Sequence, residues 1–547
     1  MKKISLIFHT LIHVKPIQVF YRLKIKIIKP KLINSNYNFS IRKVSGDVKI
    51  QQIRTRCFFG DMSFNFLNEY NKVITWNDIH LEKLWLYNLH YFDYIQYKPL
   101  KYKNDYFSLI EHWIDNNPFP TGNGWEPYPL SLRIVNWVKF FLSTDNFKNE
   151  ALESLHNQVN VLYQTLEYHL LGNHLFANAK ALVFAGCYFD GEDAEKWLKL
   201  GLFILDKEIN EQILNDGGNF ELSPMYHNII LSDMLDLYSL CIAYDSKLSL
   251  ARKEKWESII VKMYNWSHLM GHPNDEVAFF NDSANGIAPK LESIFEYANS
   301  LGINVRSENL VLGKEIVCNV LESSGYIVAQ NKHFKAILDV AKVGPDYIPG
   351  HAHADNLSFE LNVGDQRVFV NSGTSVYGLS DERLRQRKTK AHNTVVVDDE
   401  DSSEVWSGFR VARRAYPSNP IITESDNEVI VECSHDGYMR LPGKVMHTRK
   451  WKLAKDELLI CDLLSGVFNH AEAHYHIHPE VHVESPSVDG HVTLRLPNGT
   501  SYKVRAEGAD IRVQDTTWHP EFGLSIANKK LVLNFQQNEI KFFFTRA

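Results

Sequence analysis

Cysteine is scarce in this chain. The six present, Cys57, Cys187, Cys241, Cys318, Cys433 and Cys461, stand far apart with no Cys-x-x-Cys among them. That spacing excludes a zinc knuckle and a dithiol redox pair. A surplus of positive charge is also missing. With 59 Lys and Arg against 65 Asp and Glu, the formal net charge is −6, the wrong sign for a nucleic-acid coat. An anionic ligand would therefore need a local basic patch. No apolar run is long enough to span a bilayer. Neither an internal repeat nor a low-complexity tract occurs. Acidic residues are absent from the first 32 positions, which carry Lys2, Lys3, Lys15, Arg22, Lys24, Lys26, Lys29 and Lys31. Ile4 to Val14 has the length of a short signal core, but His9 and His13 interrupt it and no small-residue cleavage site follows. The expectation is a basic, partly amphipathic segment over residues 1–40 in peripheral contact with a membrane surface. A poor signal peptide is the alternative. The expected location is cytoplasmic or membrane-associated, with the periplasm as the alternative.

What is present is globular. The 547 residues suffice for two or three domains, and 44% hydrophobic with 23% charged residues is an ordinary core-forming composition. Aromatics reach 12%, with 11 Trp and 25 Tyr, which suits a sugar cleft and a large core alike. From about Trp76 to Ser300 the period is helical. Leu152, Leu155, Val159, Leu162, Leu166 and Leu170 recur at spacings of three and four, as do Trp256, Ile259, Ile260, Met263, Trp266 and Met270. From about Gly325 the period falls to two. Tyr326–Ala329, Phe334–Val340, Leu357–Val363, Arg367–Val370 and Thr394–Val397 read as strands, and Asn498-Gly499 reads as a hairpin turn. The chain therefore divides into a helical domain over 41–310 and an antiparallel β-sandwich over 311–547.

The stretch from Gly350 to Leu361 organises the second half. Leu357, Phe359, Leu361 and Val363 alternate with Ser358, Glu360 and Asn362, the pattern of a half-buried strand. If extended geometry reaches back, His351, His353 and Asp355 project to one side. A polar strand entrance with solvated imidazoles is the alternative.

Further groups stand out. In Leu171-Gly172-Asn173-His174, Gly172 is expected to stop one helix and Asn173 to cap the next. Asn173 and His174 would then face an anion at a helix N-terminus. In Ser223-Pro224-Met225-Tyr226, Ser223 is expected to cap a helix with Pro224 first inside it. Tyr226 would fall in the first turn, where the positive helix end favours a phenolate. Asn371-Ser372-Gly373-Thr374 follows the next strand. The basic run Arg383 to Lys390 precedes Ala391-His392-Asn393-Thr394 and is either a solvated face or the lining of an anionic cleft. His474, His476 and His478 alternate on one strand, either as metal ligands or as a polar face.

Together these motifs resemble the heparinase II/III family of bacterial polysaccharide lyases. The resemblance covers the helical half, the His-x-His-x-Asp-x-Leu-Ser-Phe strand, the Ser-Gly-Thr turn and Ala-His-Asn-Thr, in the family's order. It implies an incomplete (α/α) toroid followed by an antiparallel β-sandwich. It also implies β-elimination on a uronate-containing, anionic polysaccharide. Elimination requires a neutralised carboxylate, a base for the adjacent C5 proton and an acid for the leaving oxygen. Asn173 matches the carboxylate neutraliser, with His174 beside it. Tyr226 matches the acid, and His351 the second catalytic group. A structural zinc in the sandwich is implied as well, with His353, Asn371 and His392 at the ligand positions. Asn371 departs from the family's common Asp, and an amide is the weaker ligand. Trp125, Glu126, Tyr128, Arg133, Asn136 and Arg387 are the expected cleft-lining residues. Two other functions compete: a hydrolase using Asp216 and Glu221, and a non-catalytic polysaccharide-binding protein.

Overall fold

The computed structural model describes residues 2–32, 40–53, 55–97, 102–144, 147–305, 315–487 and 489–547. Two helices come first, α1 (Lys2–Leu11) and α2 (Pro16–Ile27). Pro16 opens α2 where a missing N–H costs nothing. A hairpin of β1 (Ser63–Phe66) and β2 (Glu69–Lys72) leads into the helical half. That half holds α3 (Lys83–Tyr91), α4 (Lys103–Asn116), α5 (Pro127–Leu142), α6 (Asn149–Gln164), α7 (Gly172–Tyr188), α8 (Glu192–Gln212), α9 (Pro224–Ala243), α10 (Leu250–Met270) and α11 (Leu291–Ser300). Helices adjacent in sequence pack together, α7 on α8 and α9 on α10, with α5 against α7. Both α7 and α9 are buried almost throughout, as helices without a polar face must be. One apolar core links Phe58 to Val305. Among the described residues, no helix is long and apolar enough to cross a membrane.

The β half begins with β3 (Ile316–Leu321), β4 (Tyr326–Asn331), β5 (Phe334–Asp339), β6 (Phe359–Val363) and β7 (Gln366–Phe369), antiparallel in sequence order. An eight-stranded sheet, a four-stranded sheet containing β8 (Val395–Val397) and a two-stranded pair of Val405–Trp406 with Arg410–Val411 complete it. A second core, from Ile316 to Phe544, draws on the three larger sheets. The Asn498-Gly499 turn joins two strands with Arg495 opposite Ser501, as its composition predicts. The helices end at Ser300 and the sheets begin at Ile316. The expected boundary at 310 and 311 lies outside the described residues.

The alternation at 357–363 predicts a half-buried strand, but β6 starts at Phe359 and is buried on both faces. Its polar side chains meet the helical half instead of water. His272, in the loop after α10, lies 2.7 Å from Glu360 and 2.6 Å from Asn362. Arg367 of β7 closes the group, 3.1 Å from Glu360 and 2.9 Å from Glu276. A buried carboxylate is tolerable only when paired in this way. Residues 351–358 are irregular, and Leu357 adopts φ 59°. The extended geometry therefore does not reach back to His351.

Candidate active site

The connection between α10 and α11 runs over residues 271–290 and carries Asp282 to the seam between the halves. Asp282 is fully buried and accepts from four side chains. Arg383, on α12 (Asp381–Arg387), grips both of its oxygens, with Nη2 2.7 Å from Oδ2. His351 Nδ1 lies 3.0 Å from Oδ2, and His353 Nε2 lies 2.8 Å from Oδ1. Thr374 adds a longer contact of 3.5 Å. Burial alone would raise this carboxyl, but Arg383 and the two imidazoles outweigh it and hold it well below the usual carboxylate range. An ionised Asp282 takes the Nδ1 proton of His351 as its hydrogen bond. Nε2 of His351 faces the helical half, 3.5 Å from Glu221 Oε2.

The His351 ring stacks on Tyr226 with centroids 3.8 Å apart. Tyr226 sits in the first turn of α9. Ser223 caps that helix by accepting from the Tyr226 N–H at 3.2 Å, as the Ser-Pro pair predicts. The Tyr226 hydroxyl lies 3.1 Å from that of Tyr377. The expectation that the helix end favours a phenolate is corrected. Burial among Met225, Ala284 and Phe522 is the larger effect, with Tyr377, Tyr128 and Asp282 adding to it, and the phenol is pushed well above its ordinary range. Tyr226 is therefore held as a proton donor.

Asn173 comes from the start of α7. The preceding helix ends at Gln164, not at Gly172, and Leu171 holds the cap position. Asn173 is thus inside the first turn and does not cap it. Its backbone N–H donates to Glu221 Oε1 at 3.3 Å, and its carboxamide makes no hydrogen bond among the described residues. Gly172 has φ 57°, and a Cβ there would lie 2.7 Å from Ile348 and 3.1 Å from Glu221. Only glycine allows this close approach of turn to cleft. Glu221 Oε2 lies 3.5 Å from His351 Nε2 and has no hydrogen-bond partner. Burial raises the Glu221 carboxyl against the pull of His351 and the Asn173 N–H. His174 lies 3.1 Å from Glu167 and packs on Tyr128 with ring centroids 4.5 Å apart. Burial opposes its charged form, but Glu167 prevails and raises its pKa. A pocket of about 590 Å³ opens here, lined by Glu126, Tyr128, Glu167 and His174 together with residues of α2. Its lining does not include Tyr226 or His351.

Several expected cleft residues are structural. Arg133 is fully buried and holds Gln158 and the carbonyls of His90 and Gly124. Asn136 donates to the Tyr91 carbonyl, and Trp125 to that of Asn117. Arg387 is fully buried on the carbonyls of Ala352, Ser407 and Arg410. Arg387 thus supports the site from behind and does not line it, because its guanidinium satisfies backbone carbonyls of the connecting segments, while Arg385 of the same run bonds Glu382 and Thr517. Glu126 bonds Tyr87 and Lys83 at the pocket wall. Asp216, one carboxylate of the hydrolase alternative, caps the turn at Ser324 at 2.7 Å and is committed there.

A second buried group lies behind His351. His353, Asp355 and His392 each offer one ligand atom, all within 4.8 Å of one another. His353 Nδ1 and both ring nitrogens of His392 have no hydrogen-bond partner. Burial, with His353 beside it, holds His392 neutral, the form a metal needs. The donor set of two imidazoles and a carboxylate fits a divalent transition metal. The expected ligand Asn371 already accepts from the Asn393 N–H at 3.1 Å, and Asp355 brings the carboxylate that Asn371 lacks. The alternating histidines of the strand Ala471–His476 do not form such a group among the described residues. His474 lies 3.4 Å from Glu472, and His476 bonds the Lys390 carbonyl.

Sequence comparison agrees with this architecture. The heparinase II/III N-terminus model matches residues 14–301, and the heparinase II/III-like C-terminal model matches residues 318–542. The chain belongs to the heparinase II/III family. Heparinase II/III relatives include the heparin-sulfate lyase of Bacteroides stercoris, 26% identical over 343 residues, covering 58% of this chain and 50% of that protein. The heparin-sulfate lyase of Pedobacter heparinus is 25% identical over 333 residues, covering 55% and 49%. The chain spans about half the length of the curated relatives it matches. Among solved structures, heparinase III superposes with a TM-score of 0.67 at 19% identity, covering 98% of this chain and 85% of that one. A mutant heparan sulfate lyase from Pedobacter heparinus gives 0.61 at 17% identity, covering 97% and 88%. These identities speak to the fold alone, and the fold is that of a heparinase II/III protein: helical half first, antiparallel β half second.

Asp282, Tyr377 and Glu167 escaped the sequence reading. Residues 271–290 form a long connection without helix or strand, and such loops are usually functional, which was the available signal for Asp282. Nothing in the pattern marks Tyr377.

Proposed function

We propose that the protein is a polysaccharide lyase that cleaves a uronate-containing polymer by β-elimination. The observation that carries this reading is the stack of Tyr226 on His351 at 3.8 Å, with His351 fixed by Asp282 and the open carboxamide of Asn173 on the facing helix. The Asn173 carboxamide and the raised His174 would take the substrate carboxylate and make its C5 proton acidic. His351 Nε2, aimed by the Asp282 bond on Nδ1, would accept that proton. The C5–H electrons form the C4–C5 double bond, and the C4–O electrons leave with the glycosidic oxygen. Tyr226, held as a phenol, would protonate that oxygen. The relatives' name, heparin-sulfate lyase, supports an anionic glycosaminoglycan-like substrate.

A structural zinc belongs to the same proposal, held by His353, Asp355 and His392. It would brace the loop that carries His351 and activate no water. Asp282 would orient His353 from behind, as carboxylates commonly do for metal-bound imidazoles.

Incubation with a panel of uronate polymers tests the reaction. Products with ultraviolet absorbance and no added water are expected. Products that gain water and lack the double bond would overturn elimination.

A further inference from the structure

The helices α1 and α2 turn their apolar residues away from the protein. On α1, Ile4, Ile7, Phe8 and Leu11 recur at i, i+3, i+4 and i+7 and so share one face. They are 73, 37, 61 and 56% exposed. On α2, Ile17, Phe20, Leu23 and Ile27 form a similar stripe, 40, 61, 57 and 80% exposed. Thirteen of the thirty-one exposed large hydrophobic side chains among the described residues fall between Ile4 and Leu32. A concentration of this kind marks an interaction surface and not ordinary scatter.

The opposite side of each helix is already in use. Thr10 receives the Trp406 indole N–H at 3.1 Å. Gln18 is 2% exposed and donates to the carbonyls of Leu170 and Tyr347, both at 3.3 Å. Tyr21 packs on Tyr168 with ring centroids 4.6 Å apart. The outward stripes are therefore not the result of loose helices. Thr10 reaches a residue of the β half and Gln18 one residue of each half, so the pair straps the two together.

Charge selects the occupant. Lys3, Arg22, Lys26 and Lys29 are exposed and have no acidic partner among the described residues. A second copy of the chain, docked stripe to stripe, would bring these cations against their own kind. Lipid headgroups of negative charge would neutralise them while the stripes enter the acyl boundary. We infer that the outward faces of α1 and α2 are a docking surface for an anionic membrane leaflet.

Docking has a consequence for the cleft, which rests on the lyase reading. Tyr21, Lys24 and Ile25 of α2 line the 590 Å³ pocket that His174 and Tyr128 also line. A molecule held by α2 meets its polymer at the lipid surface.

Flotation with vesicles tests the docking directly and needs no turnover. The full chain is mixed with vesicles of phosphatidylcholine alone or with one-third phosphatidylglycerol. Binding to the anionic vesicles, weakened at high salt, is expected. The variant Phe8→Glu, Leu11→Glu, Phe20→Glu, Leu23→Glu should lose at least tenfold in bound fraction while keeping its melting temperature. Its turnover of soluble polymer should equal that of the parent, since none of the four residues lines the pocket. Parent protein that stays free of anionic vesicles overturns the inference. A parent dimer in ultracentrifugation that the variant converts to monomer would assign the stripes to a second copy instead. Vesicle binding without lyase activity would leave the docking intact and sink the lyase reading alone.

Discussion

Tyr226 and His351 touch face to face, yet their surroundings pull them apart chemically. The phenol is buried and kept protonated, whereas the imidazole has one nitrogen tied to an ionised carboxylate. Tyr226→Phe removes the proton donor and little else. Turnover should fall by about two to four orders of magnitude, the usual scale for a lost general acid, with KM nearly unchanged. Steady-state kinetics on any cleaved polymer checks this. Near-parent turnover would remove Tyr226 from the mechanism. A second residue-scale effect lies beneath the cleft. Glu208 receives the Gln212 amide at 2.7 Å, and the same amide holds the Gly172 carbonyl. Burial pushes Glu208 up to about 7. The folded form then binds a proton that the unfolded chain releases near pH 4.5. Stability is fully present below that pH and is lost as pH rises through about 7. Glu208→Gln should remove this loss, gaining up to about 3 kcal/mol at pH 8 and almost nothing at pH 4. Denaturant unfolding at the two pH values measures it, and equal effects at both would refute the assignment.

At the scale of elements, the strand–loop segment from His351 to β6 shows what the sequence could and could not disclose. The change of period from helix to strand, the Ser223-Pro224 start of α9 and the Asn498-Gly499 hairpin were all readable, because each depends on neighbours in the chain. The burial of β6 on both faces was not, because its second cover, His272, lies 88 positions from Glu360. Arg133 and Arg387 read as cleft-lining cations for the same reason, since the carbonyls they satisfy are mostly distant in sequence. The two histidines of the motif also proved less separable than alternation suggests. Both bond Asp282, so Asp282→Asn should lower turnover and stability together. Breaking the buried Arg383 pair in this way should cost about 3–5 kcal/mol. Thermal melting and kinetics on one preparation test the coupling. Full activity with a lowered melting temperature would show that Asp282 does not aim His351. His353→Ala, by contrast, should release any bound metal and lower the melting temperature, read by elemental analysis and calorimetry. Metal retained in that variant would place the ion elsewhere.

At the scale of the molecule, the two cores are joined by polar groups that neither half can satisfy alone. Glu360 is shared by His272 of the helical half and Arg367 of the β half. Glu360→Ala leaves an arginine buried without its main partner. Calorimetry should then resolve two unfolding transitions where the parent shows one, and a single unshifted transition would show that the halves are coupled by other contacts.

Asp282 and Arg383 bear on ancestry and engineering. The carboxylate belongs to the stretch matched by the N-terminal family model, and the guanidinium to the stretch matched by the C-terminal one. A hybrid that grafts the helical half of one relative onto the sheets of another must inherit both members of this pair, or a compatible substitute for each. Drift at either position is conditional on the other. Domain shuffling across residue 310 should therefore yield working hybrids only between parents that agree at both positions.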